Sequence, residues 1–278
     1  CRAQHGALAG KRVLVTGACS GVGLEVARAI LQECEVQALL FHGRSLERAQ
    51  SAIAKLPERA RLACKPVAAD LGSLREVDVL AREMQSAPPD VIVCCAGVAT
   101  LPERVLTVDG FETQFAVNHL SHFHLVSSLL PYLSPSARVV MVSSDLHSVG
   151  PKYLAVDMEN LNCEKGYSWF GAYLASKCCN ILFARELASR GVSAVSCSPG
   201  ATSTDIDRYL SAPLRFCFRY MGPGLFARRP EEGAATLAFC VAAPSEELFA
   251  GSFYADCGLQ SLRWPAPREV DHAQAELW

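Results

Sequence analysis

Of the seven tyrosines in this chain, only Tyr173 is followed four residues later by a lysine, Lys177. On a helix that spacing puts a phenol and an ammonium on one face. A free phenol titrates near about 10 and is a poor base at neutral pH. A neighbouring ammonium and a positively charged nicotinamide both favour the phenolate, which makes the pair a candidate for proton exchange during hydride transfer. A second chemical element lies near the start of the chain, Thr16-Gly17-Ala18-Cys19-Ser20-Gly21-Val22-Gly23. It follows a β-branched run and opens a helix. Glycines at that junction let the backbone approach a pyrophosphate, and the helix start offers free N–H groups and a positive dipole end.

The choice of dinucleotide turns on the end of the second strand, which reads Phe41-His42-Gly43-Arg44 without a carboxylate. A carboxylate there would bond the adenosine ribose and repel a 2′-phosphate, whereas Arg44 offers a bidentate phosphate ligand. NADP is therefore expected in preference to NAD, the alternative being a solvated arginine at a helix start. Asp70, after the third strand, is placed either to bond the adenine edge or to cap the next helix.

The elements that must position these groups follow a regular alternation. Strands are expected at Lys11–Thr16, Val36–Phe41, Leu62–Ala68, Val91–Cys95, Arg138–Ser143 and Val192–Cys197, with a last one at Gly251–Tyr254. Helices are expected at Gly21–Glu33, from a Ser45 cap towards Leu56, at Phe111–Leu133 with a break near Pro131, at Ala172–Ser189 and at Glu231–Ala242. Strands apolar on both faces, alternating with helices, predict an α/β fold. The expected architecture is a Rossmann-type doubly wound parallel sheet of about seven strands with helices on both faces. The whole chain, 1–278, reads as one domain, with a mobile substrate lid at about 201–229.

Composition narrows the function classes. The 26 basic and 28 acidic residues nearly balance, which argues against a nucleic-acid binder. No run of eighteen uncharged apolar residues occurs, so no membrane span is expected within the chain. The 13 cysteines are scattered through strands and helices without metal-finger spacing, and read as free thiols of a reducing compartment. The first residue is Cys1, which leaves an upstream signal, anchor or domain open. His119, His122 and His124 lack acidic or cysteine co-ligands at suitable spacing, so packing and solvation are expected of them, not a metal. Arginines and aromatics interleave from Arg208 to Arg229. That pattern suits a substrate lid, a peripheral membrane contact or an ordinary amphipathic cover.

In their order along the chain, these landmarks resemble a short-chain dehydrogenase/reductase. The match runs from the Thr16–Gly23 turn through Asp70-Leu71, Asn118, Ser143-Ser144 and Tyr173-x-x-x-Lys177 to Pro199-Gly200. Val117-Asn118-His119-Leu120, Ser143-Ser144-Asp145-Leu146-His147 and Lys177-x-x-Asn180-Ile181-Leu182-Phe183 are similar to its retinol dehydrogenase-like branch, which includes the oxidoreductase part of proteins that also carry WW domains. The resemblance implies that Ser144 holds the substrate oxygen, Tyr173 exchanges the proton, and Lys177 binds the nicotinamide ribose and lowers the tyrosine pKa. It implies that Asn118 keeps a helix distorted and holds a relay water. It assigns the cofactor wall to Gly17, Cys19, Ser20, Gly21, Val22, Gly23, Arg44, Asp70, Leu71, Cys95, Ala96 and Gly97, with Pro199, Gly200 and Thr204 beside the nicotinamide.

One departure stands out. The family has Asn-Asn-Ala-Gly after the fourth strand, and this chain has Cys94-Cys95-Ala96-Gly97. A thiol hydrogen-bonds weakly, so Cys95 puts cofactor affinity in question. The expected activity is NADP(H)-linked interconversion of an apolar carbonyl and its alcohol, of the retinoid, steroid or lipid-aldehyde class, in the cytoplasm or at an intracellular membrane. A homodimer is common in the family and stays open. The alternative is a cofactor-binding regulatory protein of the same fold with little turnover.

Overall fold

Successive strand residues point into two different layers. The computed structural model describes residues 7–148, 157–202 and 228–261. Strands β1 (Arg12–Val15), β2 (Ala38–Gly43), β3 (Cys64–Ala68), β4 (Val91–Cys94), β5 (Arg138–Val142), β6 (Ser193–Cys197), β7 (Phe253–Ala255) and β8 (Gly258–Gln260) form one sheet in the order β3-β2-β1-β4-β5-β6-β7-β8. All pairings are parallel except the last, in which β8 returns antiparallel on β7. The strand order reverses between β1 and β4, and at such a point the carboxyl ends diverge and leave a crevice.

Because side chains alternate along a strand, Val13, Val15, Phe41, Val93 and Val142 pack to one side. There they meet α1 (Gly21–Glu33), α2 (Leu46–Ile53) and α8 (Pro230–Ala242). Leu14, Leu40, Ile92, Met141 and Ala194 pack to the other side. Their partners are α4 (Leu74–Met84), α6 (Ser121–Leu129) and α7 (Trp169–Ser189). Each such aliphatic side chain, fully buried, contributes about 1.5–3 kcal/mol, so two layers make a rigid base for the crevice. Short helices α3 (Glu58–Arg61) and α5 (Thr113–Phe115) fill connections.

The structure departs from the sequence expectations in four places. The sheet has an eighth strand, whose three residues carry too little pattern to read. Helix α4 occupies the stretch between the third and fourth strands, where no element was expected. Ser73 accepts the Glu76 amide at its start, and Val77, Leu80, Ala81 and Met84 bury one face. The expected Phe111–Leu133 helix breaks near Pro131 as expected, in a tight turn at Leu130–Tyr132, but it is also divided earlier, into α5, a wide turn at Ala116–Leu120 and α6. Finally, ten described cysteines are free thiols but Cys257 is disulfide-bonded, against the expectation of thiols throughout.

The wide turn has an identifiable cause. The Ser121 amide bonds the Ala116 carbonyl five residues back, one residue further than in an α-helix. Side chains supply the donors that the backbone does not: Ser121 Oγ reaches the Val117 carbonyl at 3.0 Å, and His122 Nδ1 and Asn180 Nδ2 reach the Asn118 carbonyl at 3.1 and 3.0 Å.

Candidate active site

A cavity of about 740 Å³ opens along the carboxyl ends of the strands. It is lined by all the residues the sequence assigned to the cofactor wall within the described chain, together with Ser144, Tyr173 and Lys177. Thr204, and the expected lid apart from Ala201, Thr202, Arg228 and Arg229, lie outside the described residues.

At the centre of the cavity is the glycine turn. Gly17 has a φ of +68°, and a Cβ there would stand 2.8 Å from the Ala96 Cα. A Cβ on Gly23 would stand 2.4 Å from the Gly17 carbonyl oxygen. Both positions therefore need glycine to let the turn close on itself and on β4. The turn delivers the start of α1 to the cavity. Ser20 is its cap residue but makes no side-chain capping bond, and the first turn holds no carboxylate. Amides at a helix start need an acceptor, and these face a cavity, which fits an anionic group such as a pyrophosphate. Cys95 does not leave its loop slack, since the Thr16 hydroxyl accepts from the Cys95 and Ala96 amides at 2.9 and 3.0 Å.

One end of the cavity is charged and open. Arg44 is 59 % exposed, and its Nε lies 4.0 Å from Asp70 Oδ1. Arg48, from α2, lines the same end. Asp70 does not cap α4, as Ser73 has that place; its carboxylate instead accepts the Gly72 amide at 2.9 Å.

At the other end Lys177 is buried, and Ser144 and Tyr173 are half-buried. Helix α7 begins at Ser168, whose hydroxyl accepts the Gly171 amide at 3.1 Å, and it carries Tyr173 and Lys177 into the cavity. Tyr173 and Ser144 share a hydrogen bond between their hydroxyls. Lys177 is 3 % exposed. Its Nζ donates to the Val142 carbonyl at 3.0 Å and lies 5.8 Å from the centre of the Tyr173 ring. Its neighbour Ser143 is turned away, its hydroxyl donating to the Lys177 carbonyl at 2.7 Å. Asn118 does not line the cavity. It is fully buried, with Oδ1 accepting the Val98 amide at 2.7 Å and Nδ2 donating to the Val98 carbonyl at 2.9 Å and to Ser176 Oγ at 3.0 Å. It abuts the site through Gly97, where a Cβ would stand 3.2 Å from Asn118 Oδ1 and 3.7 Å from Lys177 Nζ.

The electrostatics differ from the expectation in one respect. Burial pushes the Tyr173 phenol up to about 12, with the Ser144 bond opposing and Asp145 reinforcing the rise. Burial also brings Lys177 down to about 8, against the pull of the nearby Cys95, Cys197 and Cys94 thiols. The residues alone thus do not lower the phenol pKa. Desolvation outweighs the Ser144 hydrogen bond.

Two groups of lining residues were not anticipated. His42 and Arg48 lay beside Arg44 in the sequence, but only the fold turns them inward. Trp169, Phe170 and Leu146, with Val98 and Ala99, surround the Tyr173 end with apolar surface. The apolar start of α7 was the one signal that pointed to them.

This fold and site define a dinucleotide-dependent oxidoreductase architecture, and the comparisons with known proteins agree. A family model described as short chain dehydrogenase matches residues 11–214, and the chain belongs to that family. Human retinol dehydrogenase 14 is 36 % identical, over 98 % of this chain and 85 % of that protein. The WW domain-containing oxidoreductase of Drosophila melanogaster is 34 % identical over 90 % of this chain and 63 % of its own length. Among solved structures, landomycin C-6 ketoreductase LanV with bound NADP and rabelomycin superposes with a TM-score of 0.62 at 25 % identity, covering 90 % of this chain and 96 % of that one. The chain is an oxidoreductase of this family, in its retinol dehydrogenase-like branch, and members bind a nicotinamide cofactor. Among the described residues, no helix is long and apolar enough to cross a membrane.

Proposed function

We propose that this chain is an NADP(H)-dependent oxidoreductase that interconverts an apolar carbonyl and its alcohol, of the retinoid, steroid or lipid-aldehyde class. The observation that carries the reading is one continuous cavity with an uncapped helix start at its centre, two arginines at one end, and Ser144, Tyr173 and Lys177 at the other. The glycine turn and the α1 start would hold the pyrophosphate, and Arg44 with Arg48 the 2′-phosphate. Pro199 and Gly200 would border the nicotinamide. When bound, NADPH supplies a hydride to the substrate carbon.

The protein's own groups handle the oxygen and the proton. Ser144 Oγ, already bonded to Tyr173, orients the substrate oxygen. Tyr173 donates its phenolic proton to that oxygen during reduction and takes it back during oxidation. Lys177, held by the Val142 carbonyl, keeps an ammonium beside the phenolate that forms. Asn118, clamped to both polar groups of the Val98 backbone, fixes the loop after Gly97 against that ammonium. The apolar wall of Trp169, Phe170 and Leu146 favours a hydrophobic substrate and keeps water from the hydride path.

The test is oxidation of NADPH, and separately of NADH, by the purified chain with retinal and a panel of lipid aldehydes and ketosteroids. Turnover with NADPH in wild type and its loss in Tyr173→Phe is the expected result. Equal rates in the two proteins would overturn the assignment. Tight NADPH binding without turnover on any carbonyl would favour the regulatory alternative.

A further inference from the structure

His42 is the most heavily bonded residue against the glycine turn, yet nothing in the proposed chemistry uses it. Its carbonyl accepts the Ala18 amide at 3.0 Å and the Cys19 thiol at 3.8 Å. Its ring, 2 % exposed, makes two further bonds: Nδ1 faces the Gly17 amide at 3.2 Å, and Nε2 faces the Ala69 carbonyl at 3.2 Å. These partners assign the tautomer. An amide only donates and a carbonyl only accepts, so the ring is neutral, with its proton on Nε2. The imidazole thus runs beneath the cavity from the end of β1 to the end of β3, and Gly17, Ala69 and Asp70 all line that cavity.

A second imidazole bonds the residue before Gly17. His122 donates from Nδ1 to the Asn118 carbonyl at 3.1 Å, so its Nε2 is the acceptor that faces the Thr16 hydroxyl at 2.9 Å. Consecutive residues Thr16 and Gly17 are therefore each held by a neutral ring. Only His42 also reaches the loop that carries Asp70.

We infer that the His42 side chain is a positioning residue for the dinucleotide, fixing the Gly17 peptide and the Ala69–Asp70 loop at the separation at which both contact the cofactor. The inference rests on the reading of this cavity as the dinucleotide site. Because His42 lies at the glycine turn and not at the Tyr173 end, its effect falls on cofactor affinity and not on the bond-making step. Losing the Nδ1 acceptor leaves the half-buried Gly17 amide without its partner, and the turn relaxes to satisfy it.

Three variants test this by NADPH titration, steady-state kinetics and thermal melting. His42→Leu removes both ring bonds while filling the space. His42→Asn places an amide oxygen close to the Nδ1 position, and His42→Gln places an amide nitrogen close to the Nε2 position. The Kd and KM of NADPH are expected to rise about tenfold in His42→Leu, with kcat at saturating NADPH changed by less than about twofold. His42→Asn should recover most of the affinity and His42→Gln much less. A purely structural role would lower the melting temperature of all three variants without ordering their NADPH affinities. Unchanged Kd in His42→Leu, or an His42→Asn no better than His42→Gln, overturns the proposal. If His42→Leu does not fold, the Asn and Gln pair decides alone. Wild-type protein that binds neither NADPH nor NADH overturns the cavity reading and this inference with it. Wild-type binding with an indifferent His42 overturns this inference only.

Discussion

The two ends of the cavity are built on opposite electrostatic plans. At the Tyr173 end the polar groups are bonded to protein partners, and Lys177 and Asn118 are buried: Ser144 bonds Tyr173, Lys177 the Val142 carbonyl, and Asn118 Val98. Burial there moves the phenol to about 12 and the ammonium to about 8. At the Arg44 end the guanidinium is mostly in water, its carboxylate neighbour stands 4.0 Å away, and solvent screens the pair. The difference teaches where each kind of effect resides. Reaction energetics depend on the more buried end, where loss of the proton donor costs about 3–5 kcal/mol. Cofactor discrimination depends on the wet end, where a phosphate contact is worth about one or two.

The widest gap between the ends appears on removing one atom from the more buried one. Tyr173→Phe should lower kcat by about 10²- to 10⁴-fold while leaving NADPH binding and melting temperature close to wild type. Single-turnover kinetics measure it, and a drop smaller than about tenfold would mean the phenol is not the proton donor.

Acid stability probes the dry interior as a whole. Burial holds His42 and His119 down at about 4 and His122 at about 3, against about 6.5 in an unfolded chain. For a histidine with a depressed folded pKa, the unfolded state takes up the proton first. Stability is therefore full above about 6.5 and falls with pH until the folded pKa is reached. Three such groups give a slope approaching about 4 kcal/mol per pH unit between about pH 6 and 4. Glu112, whose carboxyl burial pushes up, offsets part of that loss at the acid end. Urea midpoints measured from pH 7 to 4 should drop steeply. A flat profile would show that these imidazoles are not buried as described.

At the wet end the expected effects shrink. Arg44→Ala should raise the KM for NADPH by about tenfold and that for NADH by less than about twofold, a phosphate contact being lost in one case only. Equal losses would remove the 2′-phosphate assignment. Smallest of all, Asp70→Asn should change melting temperature by no more than about 2 °C and NADPH affinity by less than about threefold, since an exposed pair at this distance is worth under about 1 kcal/mol. A larger fall in affinity would show that Asp70 bonds the adenine directly.

Much of the site was legible because its signals are local. Gly17, Gly21 and Gly23 sit at fixed offsets after a strand, and Tyr173 and Lys177 are one helical turn apart, so neighbours in sequence are neighbours in space. Helix α1 falls at Gly21–Glu33, as its period predicts. Where signals were not local, reading stopped. The Gly258–Gln260 strand exists because β7 offers it an edge. Helix α4 is a different case, since its Ser73 cap and its Val77, Leu80, Ala81 and Met84 face are local signals. The disulfide at Cys257 gives no sign in a chain whose other described thiols are free.

What the sequence determined by itself was the alternation of elements, the glycine turn, the Tyr173–Lys177 pair and the absence of a carboxylate after β2. All of these are set by periodicity or short spacing. The tertiary structure decided the rest, because it depends on which distant groups meet. The ring of His42 crosses beneath the turn to Ala69, 27 residues away, and Thr16 holds the Cys95 amide, 79 residues away. The phenol pKa goes up and not down because burial, a property of the whole packed chain, outweighs the Ser144 hydrogen bond that would lower it.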